Sequence, residues 1–339
     1  MAHLQRCPAW EETKQESVDC TDNDFAGAHL VKWKHKARIQ NVIAALPFAS
    51  NAVYYAVQRS VGGLRPEKID PFDRMAAAAG MVRWAESTGF DVRGKTVLEV
   101  GTGRMVNLPI GMWLSGADRI ITVDLNPYLS LPLVAEARAR LRQNPERIVQ
   151  MFDRSDELFH SRLKILIGDE VSQENLLRSM NIEYMSPADA SRLPIADDDI
   201  DLHVSHTVLE HIPADILSAI LGEARRVLRP GGLLIHNIDP SDHFSHDDPT
   251  ITMINFLQFS DADWKKWAGN QFMYHNRLRA SDYVRIFAAA EVRTIDERRS
   301  VDKRSLAALH AGFPLWDRFR YLPAQDLATT TYSVMGTFD

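Results

Sequence analysis

From residue 96 onward, short apolar runs alternate with helical patterns, and no other feature limits the fold as strongly. The runs are 96–100 (TVLEV), 119–125 (RIITVDL), 182–189 (IEYMSPAD), 200–206 (IDLHVSH) and 232–238 (GLLIHNI). Strands that follow one another through helical crossovers pair in parallel, so the pattern predicts an α/β fold around a parallel sheet. Two further strand candidates, 291–298 and 330–338, come after the helical stretch 279–290. They complete a seven-stranded, mostly parallel sheet with flanking helices. The segment 130–181 is longer than one crossover helix requires, which predicts an inserted helical element. Residues 25–90 read as helices: within 73–88 (DRMAAAAGMVRWAEST) apolar residues recur at three- and four-residue spacing, and Gly89 follows as a stop. The expected organisation is an N-terminal helical extension or lid at 1–93 and one α/β domain at 94–339, with insertions near 130–181 and 240–280.

With 45% hydrophobic and 25% charged residues, the 339-residue chain carries enough apolar material for one large core. Its net charge is -6 with acids and bases interspersed, which removes the basic footprint of a nucleic-acid binder and favours small-molecule partners. Cys7 and Cys20 build neither a disulfide framework nor a zinc-ligand spacing, as expected of a reducing compartment. The first twenty residues are polar and mixed, unlike a signal peptide. The most apolar stretch, 41–57, is too short for a bilayer span and is broken by Pro47, Ser50 and Asn51. No transmembrane segment and a cytoplasmic location are therefore expected.

The first strand runs into Gly101-Thr102-Gly103, a turn whose glycines permit close backbone approach to a ligand. A dinucleotide-binding turn needs a third glycine at the next spacing, and Val106 stands there instead. About twenty residues later the second strand ends in Asp124-Leu125, where a carboxylate can meet two ribose hydroxyls. Asp189-Ala190 lies just beyond the third strand, and its acid can accept from an adenine amino group. "SHTVLEHI" (205–212) and "LRPGG" (228–232) follow in order.

This ordered series, over about residues 94–298, resembles the class I S-adenosylmethionine-dependent methyltransferases. The resemblance implies a Rossmann-like fold with S-adenosyl-L-methionine as cofactor. Glu99, Gly101, Thr102 and Gly103 would form the first motif against its methionine portion, and Asp124 with Leu125 would hold the ribose. Asp189 and Ala190 would flank adenine, and the 205–212 segment, with His206 and His211, would wall the pocket. A cofactor without phosphates needs only close approach, so Val106 ceases to be a defect. Met105, where many members carry another glycine, and Pro109 place the next helix near Leu108, with Asn107 as its cap. Gly101→Val is expected to block the cofactor while leaving the fold intact.

Methyl transfer to a hydroxyl needs alignment and a base. The stretch 236–250 (HNIDPSDHFSHDDPT) holds three histidines and four aspartates directly after the fifth strand. His243, then His246, is the first choice of base, with His211 and His275 next. His236 and Asp239 are expected to face substrate. Gathering of His236, Asp239, His243, His246 and Asp247 around a divalent cation is the alternative, but their spacing matches no metal signature and no metal is assigned. A polar turn whose aspartates cap a following helix is the plain reading. Tyr274, His275, Asn276 and Arg277 combine flat apolar area with donors suited to a polyhydroxylated acceptor, while Ser281 would cap the next helix. Trp264, Trp267 and Phe272 would stack on a sugar face or seal a lid. Residues 41–64 would cover the active site, pack between the subunits of a homodimer, or lie on a membrane surface. The expected reaction is O-methylation of a small molecule or glycan precursor. The rivals are a non-catalytic S-adenosylmethionine- or nucleoside-binding regulator and, disfavoured by Val106, an NAD-dependent oxidoreductase.

Overall fold

The computed structural model describes residues 32–339. Cys7, Cys20 and the start of the predicted helical region at 25–31 lie outside the described residues. Seven strands form one sheet: β1 Thr96–Val100, β2 Arg119–Val123, β3 Ile182–Met185, β4 Ile200–His206, β5 Leu228–Ile238, β6 Arg293–Val301 and β7 Thr329–Thr337, in the order 3-2-1-4-5-7-6. β1 to β5 pair in parallel, and β7 inserts antiparallel between β5 and β6. This is the mostly parallel sheet that the strand–helix alternation predicts, in the Rossmann-like form that the resemblance implies.

The burial pattern explains the layering. Inner strands of a parallel sheet are covered on both faces and read as continuous apolar runs. β1 and β2 expose only part of their first residue, and β4 is buried up to His206. β6 (RTIDERRSV) is exposed along its whole length, and its charges keep this edge from pairing with another chain. Alternate residues of β1 feed opposite cores: Val97 faces the side of α3 (Phe72–Glu86) and α4 (Asn107–Leu114). Leu98 faces the side of α9 (Ala214–Val227) and α11 (Ala280–Ala289).

The predicted insertion at 130–181 is helical, with α5 Leu131–Arg142, α6 Pro145–Phe152, α7 Glu157–Ile167 and α8 Leu176–Ser179. Buried Arg138 fastens it by donating to the carbonyls of Ile165, Leu166 and Gly168, where α7 leaves its last acceptors open. A third core joins α1 (Trp33–Ala44) to α10 (Asp261–Ala268), with Trp33 packed against Phe244, Trp264 and Trp267. Trp264 is thus a core residue and not a sugar platform. α2 (Ser50–Ser60) reaches across to the other end of the sheet through Arg59, which pairs with Glu136 at 2.8 Å. α12 (Lys303–His310) and α13 (Ala324–Leu327) complete the chain. Among the described residues, no helix is long and apolar enough to cross a membrane.

Two predicted caps are corrected. α4 begins at Asn107 itself, after Val106, and the Asn107 amide turns to Met105 Sδ at 3.9 Å instead of capping. Ser281 lies inside the first turn of α11 and bonds Asp326, while the Arg279 amide is taken by Asp282 Oδ2 at 2.8 Å. The LRPGG segment belongs to β5 rather than preceding it.

Candidate functional site

β1 is flanked by β2 on one side and β4 on the other, so the strand order reverses there and a crevice opens at the carboxyl ends. Two groups of side chains stand around it.

The first is the glycine turn. Gly101 and Gly103 have φ of +90° and +65°, which only glycine adopts without strain. A Cβ on Gly103 would meet nothing within 4 Å, whereas one on Gly101 would fall 2.4 Å from Val208 Cγ2. The space beside Gly101 is thus filled by the segment after β4, and the expectation that a side chain there would obstruct only a ligand is corrected. Asp124 Oδ2 accepts from the Gly103 amide and Oδ1 from the Asn126 amide, both at 2.9 Å. These bonds fix the carboxylate and leave each oxygen a further lone pair. Burial raises the Asp124 carboxyl above its usual range, against the pull of those two amides. Leu125 and Asp189 are exposed nearby, and Asp189 accepts from the Ser191 amide and hydroxyl, which hold its carboxyl below the usual range. Half-buried Ala190 follows it.

Other members of the first motif are buried and bonded within the protein. Glu99 is buried and accepts from Thr122, whose hydroxyl also meets buried Thr102; burial pushes the Glu99 carboxyl up to about 7. Val106 is fully buried in the core. Glu99 and Thr102 therefore have buried side chains joined through the Thr122 hydroxyl. Half-buried His206 sits 3.4 Å from Asn237 Nδ2 at the ends of β4 and β5.

The second group gathers where the segments after β4 and β5 meet. His243 Nε2 lies 3.4 Å, and His246 Nε2 3.5 Å, from Asp239 Oδ2. The two rings stack at 5.1 Å. Burial pushes the Asp239 carboxyl up, but His243 and Ser241 outweigh it and hold it at about 2. Burial also pushes the His243 imidazole down, and the charges of Asp239, Glu210 and Asp242 overcome this to raise it above the ordinary histidine range. Glu210 is fully buried beside them; its burial lifts the carboxyl to about 8 against the opposing charge of His243. His211 donates through Nδ1 to the Tyr274 carbonyl at 2.8 Å.

The histidine- and aspartate-rich loop therefore divides. Asp239, His243 and His246 face the cluster. Asp242 caps the 3₁₀ turn His243–His246, Asp247 pairs with Lys36, and Asp248 accepts from the Trp33 amide at 2.8 Å. His236 is corrected: it is fully buried in β5, bonded to Ser205 Oγ at 2.8 Å, and turned toward a small apolar cavity among Leu217, Leu221 and Phe287. Three of the four residues 274–277 are corrected as well. Buried His275 accepts from the Arg277 amide on Nδ1, so Nε2 carries the proton and points to the Asp239 carbonyl at 3.3 Å. Both ring nitrogens are then occupied. Asn276 spends its amide on the carbonyls of Leu209 and Ile212. Arg277 is buried and braces the carbonyls of Phe256 and Phe259 with Asp261, while desolvation lowers its guanidinium to about 10. Tyr274 alone of the four keeps an exposed ring, but its carbonyl is what holds His211.

Several residues converge here that the sequence did not single out. Glu210 stood within the quoted "LEHI", but nothing in spacing distinguishes a buried unpaired carboxylate from a solvated one. Arg74 of α3 reaches the His206 carbonyl and the Thr207 hydroxyl, each at 3.5 Å. Arg104, just after the glycine turn, lies between the rings of Tyr55 and Tyr128. Tyr54 stacks on Phe272 at 4.1 Å, so α2 covers this end of the crevice.

Residues 98–236 match the family model described as a methyltransferase domain. That stretch of the chain is thus similar to methyltransferase domains. It spans β1 through most of β5 and includes the glycine turn, Asp124 and the segment after β4, while Asp239, His243 and His246 lie just beyond it. Among solved structures, magnesium protoporphyrin IX methyltransferase from Synechocystis is similar at 13% identity, covering 88% of this chain and 99% of that one with a TM-score of 0.46. Geranyl diphosphate C-methyltransferase from Streptomyces coelicolor is similar at 11% identity, covering 78% and 80% with a TM-score of 0.43. A methyltransferase from Methanosarcina mazei is similar at 14% identity, covering 75% and 96% with a TM-score of 0.43. No curated protein matches the chain.

Proposed function

We propose that the protein transfers a methyl group to a hydroxyl oxygen of a small molecule or glycan precursor. The observation that carries this reading is the packing of Val208 against Gly101, which brings the segment leading to Glu210 and His211 directly beside the glycine turn. When bound, S-adenosylmethionine supplies an electrophilic methyl carbon on a sulfonium, and its departure leaves a neutral thioether. Gly103 gives the cofactor open space for close approach, and Asp124, already fixed by two amides, offers its remaining lone pairs to the ribose hydroxyls. Asp189 and Ala190 are at the rim for adenine. His246, beside Asp239 and held below the ordinary histidine range by burial, takes the acceptor proton as the oxygen attacks, and His243 stays paired with Asp239. Helices α1 and α2 form the lid, and Tyr54, Tyr55 and Phe272 line its inner edge.

The reading is tested by incubating the full-length protein with methyl-deuterated S-adenosylmethionine and a panel of hydroxylated and glycosyl acceptors. Mass spectrometry should show one labelled methyl on an acceptor oxygen. Labelling only on nitrogen or carbon would overturn the oxygen assignment. Binding of the cofactor with no transfer to any acceptor and no deuterium loss would favour a regulatory binding module.

A further inference from the structure

Glu210, His211 and His243 each offer one ligand atom, and these atoms all lie within 4.8 Å of one another. Two observations separate this group from an ordinary polar cluster. Glu210 is fully buried, and among the described residues neither of its carboxylate oxygens completes a well-formed hydrogen bond, with the backbone amides of Glu210 and Asp239 standing near them. A buried acceptor left in that state costs free energy that a partner must recover. His211, in turn, is oriented as metal-bound histidines are: Nδ1 donates to a backbone carbonyl, that of Tyr274, which fixes the tautomer and leaves Nε2 as a lone-pair donor. The His243 ring is held between Asp239 at 3.4 Å and the rings of His211 and His275 at 4.9 Å each.

We infer that Glu210, His211 and His243 form a binding site for one divalent transition-metal cation of the Zn²⁺ type, with an open position for an oxygen of the acceptor. Two imidazoles and one carboxylate suit a borderline cation such as Zn²⁺ better than Mg²⁺ or Ca²⁺, which take oxygen sets. Three protein ligands leave a place for a further donor, the arrangement of catalytic rather than structural sites. Ligands of a tetrahedral Zn²⁺ bonded at about 2.1 Å lie about 3.4 Å apart, so a bound cation would draw the three ligand atoms closer than their present spacing of up to 4.8 Å. Exposed His211 also leaves an entry path from solvent. The set differs from the one that the sequence suggested, because Glu210 and His211 come from the segment after β4 and His236 and Asp247 do not take part. With His243 holding the cation, His246 remains the ring beside Asp239 that faces the acceptor. The inference rests on the methyltransferase reading only for what occupies the open position.

Chelator-treated full-length protein is titrated calorimetrically with ZnCl₂ alone, and separately with S-adenosylmethionine alone. The parent should bind one Zn²⁺. Glu210→Gln and His243→Ala should each weaken it on the order of a hundredfold, while His310→Ala, on the exposed end of α12, should not change it. Glu210→Gln keeps the size of the side chain, and undiminished binding of S-adenosylmethionine certifies that the variant is folded. Absence of a one-to-one Zn²⁺ complex in the parent, or equal affinity in parent and both variants, would overturn the cation site. Binding of Zn²⁺ but not S-adenosylmethionine would leave the cation site standing and defeat the methyltransferase reading; the reverse pattern would do the opposite.

Discussion

The crevice has two sides built on different physical terms. On the side of β1 and β2, polar groups are paired before any ligand arrives: Asp124 holds the Gly103 and Asn126 amides, and Asp189 holds Ser191. On the side of β4 and β5, Glu210 completes no well-formed hydrogen bond among the described residues, and His243 and Asp239 meet without full hydrogen-bond geometry. A satisfied side is a rigid binding surface, whereas a buried, unsatisfied one stores a demand for a charged or polar partner. Binding and chemistry should therefore be separable by mutation.

The largest expected effect tests the satisfied side. With Asp124 as the proposed ribose acceptor, Asp124→Ala would remove two charge-assisted bonds at about 1.5–3 kcal/mol each, so affinity for S-adenosylmethionine should fall by about a hundredfold or more in calorimetry. Affinity equal to the parent would mean that the ribose does not sit there. Gly101→Val tests where the two sides touch. The left-handed backbone and the contact with Val208 should together cost about 2–5 kcal/mol of stability in chemical denaturation. Val208→Ala in the same chain should restore part of it, and a fully stable single variant would contradict the packing.

On the unsatisfied side, His243→Ala should lower turnover by about a hundredfold with cofactor affinity unchanged. A fall in affinity of similar size would erase the distinction between the sides. Glu210 gives a pH-bounded effect in chelator-treated protein. Its folded carboxyl titrates at about 8 against 4.5 when unfolded, so the stability it contributes is present below about 4.5 and is lost as pH rises toward 8. Glu210→Gln should therefore match the parent's melting temperature near pH 4.5 and exceed it near pH 8. Identical curves across that window would show that Glu210 is not desolvated. The smallest effect concerns the lid: Tyr54→Ala removes the stack on Phe272, worth about 0.5–1.5 kcal/mol, and should raise the KM for acceptor by no more than about tenfold.

The satisfied side was legible in the sequence because strand ends and glycines occur at fixed chain positions. The alternation from residue 96 announced the sheet, and the acids after β2 and β3 follow from it. Burial was not legible: Glu99 and Thr102 stand in the glycine motif yet are buried and bonded through Thr122, a residue of the next strand. The other side was half legible. The histidine-rich loop stood out by composition, and its reading as a turn with capping aspartates holds for Asp242, but the pairing of Asp248 with Trp33 and the place of His236 in the core depend on contacts far along the chain. Arg277 looked like an acceptor ligand because arginine is usually solvated; the carbonyls of Phe256 and Phe259 bury it instead.

Native mass spectrometry of the full-length chain mixed with equimolar S-adenosylmethionine tests the separation most directly. The parent and His243→Ala should each carry one copy of the cofactor, and Asp124→Ala should carry none. No bound copy in the parent, or one copy in all three proteins, would contradict the account.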